Sequence, residues 1–238
     1  MTAMREKEML YEEMKDSALF EGIDPAQGLF LMDYLRAHRG TYEKGSMVYS
    51  QENETDTFAM ILRGTVEMAQ YDCWGNRFLI LTQGKGTCIG LAGTLFEEWM
   101  PNTHVIARSD CELAFFDAQK LRDPACLLSP ACAILKNNIS KQLARKENEL
   151  IGKLSLIHCR TTREKVSFFL SQKAIAHHSN SFDIEFSRQD LADFLSVDRS
   201  ALSKELSRMK RDGLIDYHRN HFEIKTMESL MIDAEDRA

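Results

Sequence analysis

The feature that most constrains this chain is a stretch of roughly 27 residues, ~40 Å at 1.5 Å per residue, that reads as one uninterrupted helix between 130 and about 156. Ser129-Pro130 supplies an N-cap and a first-turn proline. No helix breaker follows until Gly152. Leu135, Ile139, Leu143, Leu150, Leu154 and Ile157 recur at spacings of three, four or seven, with Lys141, Arg145, Lys146, Glu147 and Glu149 between them. One narrow apolar stripe on a long helix suits a seam with a second copy of the chain. The same stripe also suits a helix lying on its own domain. The seam is favoured, because the stripe is narrow and the helix outreaches one small domain. It places Leu135, Ile139, Leu143, Leu150 and Leu154 at a homodimer interface.

The helix divides two textures. Residues 4–38 carry helical patterning, with Leu10, Met14, Leu19 and Phe20, then Leu29, Phe30, Met32 and Leu35. From 39 to 117, short apolar runs alternate with turn signals such as Lys44-Gly45, Arg63-Gly64 and Gly84-Lys85-Gly86. That spacing predicts a β-sandwich or barrel. Thr57-Phe58-Ala59-Met60-Ile61-Leu62 is a dense apolar strand, residues 65–71 alternate, and Cys73-Trp74-Gly75-Asn76 reads as a hairpin tip. Beyond the long helix lie a helical segment over 161–176, a solvated His177-His178-Ser179-Asn180-Ser181 loop and a period-two strand over 182–186.

Residues 187–215 carry the most chemistry. Ser187 caps a short helix, with Asp190 in the capping-box place. Leu191, Ala192 and Leu195 form its inner face. Ser196-Val197-Asp198 is a tight turn, with Asp198 capping a second helix that buries Leu202, Leu206 and Met209 and ends at Gly213. Two helices joined by a three-residue turn make a helix-turn-helix. In such a motif the start of the second helix meets base edges in the major groove of double-stranded DNA. Arg199, Ser200, Ser203 and Lys204 are left facing outward for that task, and Arg188 and Gln189 stand at the first helix's start for phosphate contact. Residues 215–224 read as a hairpin turning near Arg219-Asn220, which makes a wing. The alternative is a helical hairpin with a solvated charged face.

Charge does not decide between these readings. The whole chain carries a net −6, and residues 157–238 hold 13 Lys/Arg against 14 Asp/Glu, a net of −1. No global positive field binds nucleic acid indiscriminately, so any such binding is local. The mixed-charge start lacks the apolar core of a secretory signal, and no apolar run approaches the ~18 residues of a membrane span. Cytoplasm is the expected compartment, with no membrane partner. The six scattered cysteines form no CxxC pair and are expected as free thiols. An enzyme on the β-domain is not expected. A cupin-type metal site needs several converging histidines, and residues 39–117 contain only His104.

A β-rich domain, a long helix and a winged helix-turn-helix, in that order, resemble the CRP/FNR superfamily of bacterial transcription regulators. Cys88-Ile89-Gly90-Leu91-Ala92-Gly93-Thr94-Leu95-Phe96-Glu97-Glu98 looks like that family's phosphate-binding cassette, and 187–215 like its DNA-reading motif. The resemblance implies an α+β chain: a double-stranded β-helix (jelly-roll) sensor over 1–128, a dimerising helix over 129–157 and a winged helix-turn-helix domain over 158–238. It also implies a homodimer on a palindromic operator, RNA polymerase as a partner and control by a small effector.

The departures from the family shape the expectation. Cyclic-nucleotide members place Glu after the cassette glycine and Arg-Ser further on. Here Leu91, then Pro101 and Asn102, stand there. A phosphodiester facing Leu and Pro loses its charge-assisted bonds, so no response to cyclic AMP is expected. No cysteine precedes Cys73 for an iron–sulfur cluster, and His104 and Cys73 stand in no haem motif. No cofactor or metal is therefore expected. An effector pocket would draw on Leu91, Ala92, Thr94, Asn102, Thr103 and, from the long helix, Asn138. Leu62, Leu81, Trp99, Asn137 and Lys141 are further candidates. The alternatives are a constitutive DNA binder with a closed sensor, and a redox switch at Cys126 and Cys132. The family often has Glu where Ser200 stands and Arg where Lys204 stands, so the operator should differ.

Overall fold

The computed structural model describes residues 3–49, 56–71, 73–75, 77–91 and 103–225. The chain divides into two compact units, 1–148 and 149–238. The division falls inside the long helix rather than at either of its ends.

The first unit opens with α1 (Ala3–Met14) and α2 (Pro25–Tyr34). Asp24 caps α2 in a capping box with Gln27, and Pro25 starts its first turn. The two helices meet closely at Gly28, where a Cβ would fall 2.1 Å from Tyr11 Cε2. Strands β1 (His38–Tyr42), β2 (Met47–Tyr49), β3 (Thr57–Arg63), β4 (Val66–Tyr71), β5 (Arg77–Gln83), β6 (Cys88–Ile89), β7 (Thr103–Ala107) and β8 (Cys111–Asp117) follow. They form two antiparallel four-stranded sheets, ordered β1-β8-β3-β6 and β2-β7-β4-β5. This is the expected jelly-roll architecture.

The dense apolar run of β3 is explained by burial on both faces. Ala59 and Ile61 join Tyr49, Val66, Val105, Leu113 and Phe115 in one core. Phe58, Met60 and Leu62 point the other way, toward α1, α2 and the long helix, with Ala114 and Phe116. Phe58 stacks on Phe116 with ring centroids 4.9 Å apart. Each such fully buried side chain contributes about 1.5–3 kcal/mol. β4 and β5 pair from Val66↔Gln83 to Tyr71↔Arg77, with Cys73, Trp74 and Gly75 of the expected hairpin tip between them; Asn76 lies outside the described residues.

After α3 (Gln119–Arg122) and a 3-10 turn (Pro124–Leu128), α4 (Pro130–His158) runs 29 residues. Ser129 Oγ accepts from the Cys132 N–H at 3.4 Å, as its capping role requires. The apolar stripe of α4 does not form one seam. Leu135 and Ile139 are 0 % and 2 % exposed, in the core with Leu10, Met14, Leu19 and Leu31, and Leu143 packs against the same cluster. These three were expected at a dimer interface. Leu135 and Ile139 are instead internal and Leu143 is partly buried, because α1 and α2 supply an apolar face that the stripe covers within the chain. Leu150 and Leu154 remain 41 % and 57 % exposed.

In the second unit, α5 (Thr162–His177) is capped by Thr161 in a box with Glu164. It takes in His177, expected in the loop; the ring is exposed, as expected, and stacks on Phe182 at 5.6 Å. β9 (Ser181–Asp183), β10 (Ile215–His218) and β11 (His221–Ile224) form a sheet ordered β10-β11-β9. β9 is shorter than the strand expected over 182–186. Pairing with β11 ends at Asp183, and Phe186 turns into an aromatic cluster with Phe169 and Phe194, centroids 5.9 and 5.1 Å away. Among the described residues no helix is long and apolar enough to cross a membrane.

Candidate nucleic-acid interface

Two helices build the interface, α6 (Arg188–Leu195) and α7 (Arg199–Arg211). Ser187 and Asp190 form the expected capping box on α6. Asp198 Oδ1 accepts from the N–H groups of Ser200 and Ala201 at 2.8 and 3.1 Å, capping α7. Those bonds hold its carboxyl below the usual carboxylate range, with the Ser200 hydroxyl the largest contributor. Between the helices Ser196 sits in the left-handed region at φ +51°, where L residues are strained. Gly213, at φ +75°, supplies the left-handed residue after α7, and the Leu214 N–H closes back on Met209 O at 3.0 Å.

Leu202, Leu206 and Met209 are fully buried. The opposite face of α7 presents Arg199, Ser200, Ser203 and Lys204, all exposed. Arg199 and Lys204 make no ion pair among the described residues. The serine hydroxyls are engaged within the helix: Ser200 donates to Asp198 and Ser203 donates to Arg199 O at 2.9 Å. Arg208, Lys210 and Arg211 add cations to the last turn, where they also suit the helix dipole. The only acidic residue within α7 is Glu205. The helix is thus a local cationic stripe on an acidic chain, presenting guanidinium, ammonium and hydroxyl donors for base edges and phosphates.

The residues expected at phosphates lie differently. Gln189 is exposed, with Nε2 donating to Asp193 Oδ1 at 2.8 Å. Arg188 is half-buried. It donates to Arg219 O at 3.0 Å and lies 5.2 and 5.6 Å from the Tyr217 and Phe222 ring centroids. Burial lowers its pKa. Arg188 therefore braces the wing, held by two aromatic faces and a turn carbonyl, with part of its side chain still exposed.

Of the six residues expected at the effector, Leu91, Thr103 and Asn138 lie among the described residues. Leu91 is buried in the core shared with Leu62 and Ile139. Thr103 accepts from Gln70 Nε2 at 3.1 Å. Asn138 is buried and donates both amide protons, to Leu19 O at 3.0 Å and Glu21 O at 2.8 Å. That anchors the segment after α1 and replaces the effector contact expected of it. Asn137 and Lys141 are exposed. Ala92, Thr94, Trp99 and Asn102 lie outside the described residues. Two residues of α4 take a role that the sequence did not suggest. Gln142 Oε1 accepts from the Cys88 N–H at 3.3 Å, and Lys146 Nζ donates to Cys88 O. They hold the start of the cassette from Asn138's own side of the helix, one and two turns further on, and the four-residue spacing was the available signal. A separate cleft of about 620 Å³ is lined by Thr41, Tyr42, Glu43, Arg63, Ser109, Asp110, Cys111 and Glu112, none of them expected at an effector.

All six cysteines are free. Burial, then a hydrogen bond with the Cys132 thiol, pushes the Cys126 thiol up to about 12, which keeps it from the reactive thiolate form. Among the described residues no group of three His, Cys, Asp or Glu side chains converges to hold a metal ion.

A capped, cation-rich helix presented by a helix-turn-helix with a wing, in one chain with a jelly-roll domain, has the make-up of a DNA-binding regulator. The family described as Crp-like helix-turn-helix domain matches residues 156–231, and that described as cyclic nucleotide-binding domain matches 39–124. The cAMP-activated global transcriptional regulator CRP of Salmonella typhimurium is 25 % identical over 200 residues, covering 82 % of this chain and 91 % of that one. A solved mutant of CooA from Carboxydothermus hydrogenoformans superposes with a TM-score of 0.68 at 15 % identity, covering 85 % of this chain and 89 % of that one. The c-di-GMP responsive global regulator CLP of Xanthomonas campestris gives a TM-score of 0.66 at 19 % identity, covering 85 % and 100 %. The chain belongs to the CRP/FNR superfamily: it is a DNA-binding transcription regulator of that type with a cyclic nucleotide-binding domain.

Proposed function

We propose that the protein is a homodimer that reads a palindromic operator through Arg199, Ser200, Ser203 and Lys204, and that its sensor answers a small effector other than cyclic AMP. The observation that carries the DNA half is the division of α7, with Leu202, Leu206 and Met209 buried and the four reading side chains exposed. Two such helices ~34 Å apart enter successive major grooves. Leu150 and Leu154, left exposed on α4, support pairing with a second copy. RNA polymerase is the partner such a regulator acts on, and the cytoplasm is where it meets both.

The effector half rests on Leu91. A cyclic nucleotide needs an acceptor for its ribose hydroxyl after the cassette glycine. This chain has a buried aliphatic side chain there, which offers nothing to a hydroxyl and leaves it unsatisfied. By their printed names, relatives answer cyclic AMP in one case and c-di-GMP in another, so the fold leaves the effector open to the lining residues. Selection from a random duplex pool tests the reading. The expected product is a two-fold symmetric site with half-sites one helical turn apart; an enriched pool without symmetry overturns the dimeric mode. In calorimetry cyclic AMP is expected to bind more weakly than ~10 µM, about −7 kcal/mol, and tighter binding overturns the effector assignment.

A further inference from the structure

The first turn of α5 carries two cations, Arg163 and Lys165. Cations at a helix N-terminus oppose the helix dipole, so α5 itself gives no reason for them. Both reach the reading motif. Lys165 Nζ donates to the carbonyls of Leu195 and Ser196 at 3.1 and 3.3 Å, satisfying the exposed end of α6. Arg163 Nε donates to Glu205 Oε1 at 2.6 Å, and its Nη2 donates to Asp212 Oδ2 at 2.6 Å. Glu205 and Asp212 are seven residues apart, two turns of helix, and so lie on one side of α7. That side is neither the buried line of Leu202, Leu206 and Met209 nor the reading face. The Glu205 side chain is 13 % exposed, and Arg208 Nη1 is its other cation at 3.7 Å.

We infer that Arg163 is a positioning residue for DNA reading: by gripping two carboxylates on one flank of α7 it fixes the helix's rotation about its own axis. Leu202, Leu206 and Met209 make one narrow buried line, and a narrow line of contact leaves roll about the helix axis the least hindered motion of α7. Two charge-assisted bonds from one planar guanidinium remove that freedom. On the opposite flank Lys210 pairs with Asp216 and donates to Tyr217 O at 3.4 Å, tying α7 to the wing. With roll fixed, Arg199, Ser203 and Lys204 meet base edges in register, whereas phosphate attraction is insensitive to a small roll. Arg163 therefore governs specificity rather than overall affinity.

The inference rests on the proposed DNA reading, and its test separates the two. The probe is the palindromic duplex that the wild-type full chain enriches from a random pool, set against the same duplex shuffled. Arg163→Ala is expected to lose about tenfold in affinity for the enriched duplex, the scale of a displaced base contact, with the shuffled duplex unchanged. In a double-mutant cycle Arg163→Ala/Glu205→Ala should lose no more than Arg163→Ala alone. Arg163→Lys, which engages one carboxylate at a time, should recover part of the loss. If Arg163→Ala fails to fold, Arg163→Lys is read by the same criteria. Affinity for the enriched duplex within about twofold of wild type, or an equal loss on both duplexes, overturns the positioning role alone. A wild-type protein that enriches no duplex overturns the DNA reading and the inference together.

Discussion

Single residues carry the sharpest consequences. Ser196 holds a left-handed backbone conformation in the α6–α7 turn, a geometry that glycine adopts without penalty. Ser196→Gly should stabilise the protein by up to about 1 kcal/mol and raise the thermal midpoint, leaving DNA affinity unchanged; a lower midpoint means the serine hydroxyl contributes to the turn. Arg199→Ala should relax the base preference at one operator position at about 1–3 kcal/mol, read from the sequences that the variant enriches. Lys153 has its ammonium 3.8 Å over the Phe194 ring, and burial lowers its pKa from 10.5 to about 8. Between those two values the unfolded chain binds more protons than the folded one, so stability rises with pH across that window. Lys153→Met should remove the rise and increase stability near pH 7. Chemical denaturation between pH 7 and 10 measures both effects, and an unaltered slope in the variant refutes the assignment. The caps at Ser187 and Asp198 were legible because a short polar side chain three residues before a partner is a local signal. The roles of Arg188, Arg163 and Lys153 were not, because each depends on a partner distant in sequence.

At the scale of elements, strands and helices were legible wherever periodicity and turn residues agreed, as along β3, the β4–β5 hairpin, α6 and α7. The long helix shows where legibility stops. Its stripe predicts that one face is buried, and that is so for its first half. Periodicity cannot say what buries it, since a second copy and the chain's own α1 and α2 present the same apolar chemistry. The two halves of α4 should therefore respond differently. Leu135→Ala should cost about 2–5 kcal/mol of the chain's own stability, seen as an earlier denaturation midpoint at any protein concentration. Leu154→Ala should leave that midpoint nearly unchanged in the dilute limit. Asn138 went to another partner for a related reason: it was placed on a plausible face, but the carbonyls of Leu19 and Glu21 come from a loop that no helical pattern anticipates.

For the whole molecule, the central prediction concerns assembly. Leu150→Glu/Leu154→Glu introduces like charges at the exposed aliphatic positions of α4. Analytical ultracentrifugation should show a dimeric wild type and a monomeric variant whose circular dichroism is unaltered. A variant that sediments as a dimer places the contact elsewhere. The order of the two domains was readable from texture alone, a strand-dense half followed by a helical one, because each half repeats its own period many times. The cationic stripe of α7 on a chain of net charge −6 has a kinetic consequence. To a polyanionic duplex most of this surface is repulsive, so collisions on the wrong face separate quickly while those led by α7 linger. The acidic remainder thus acts as an orientation filter, discouraging misaligned capture before any base has been read.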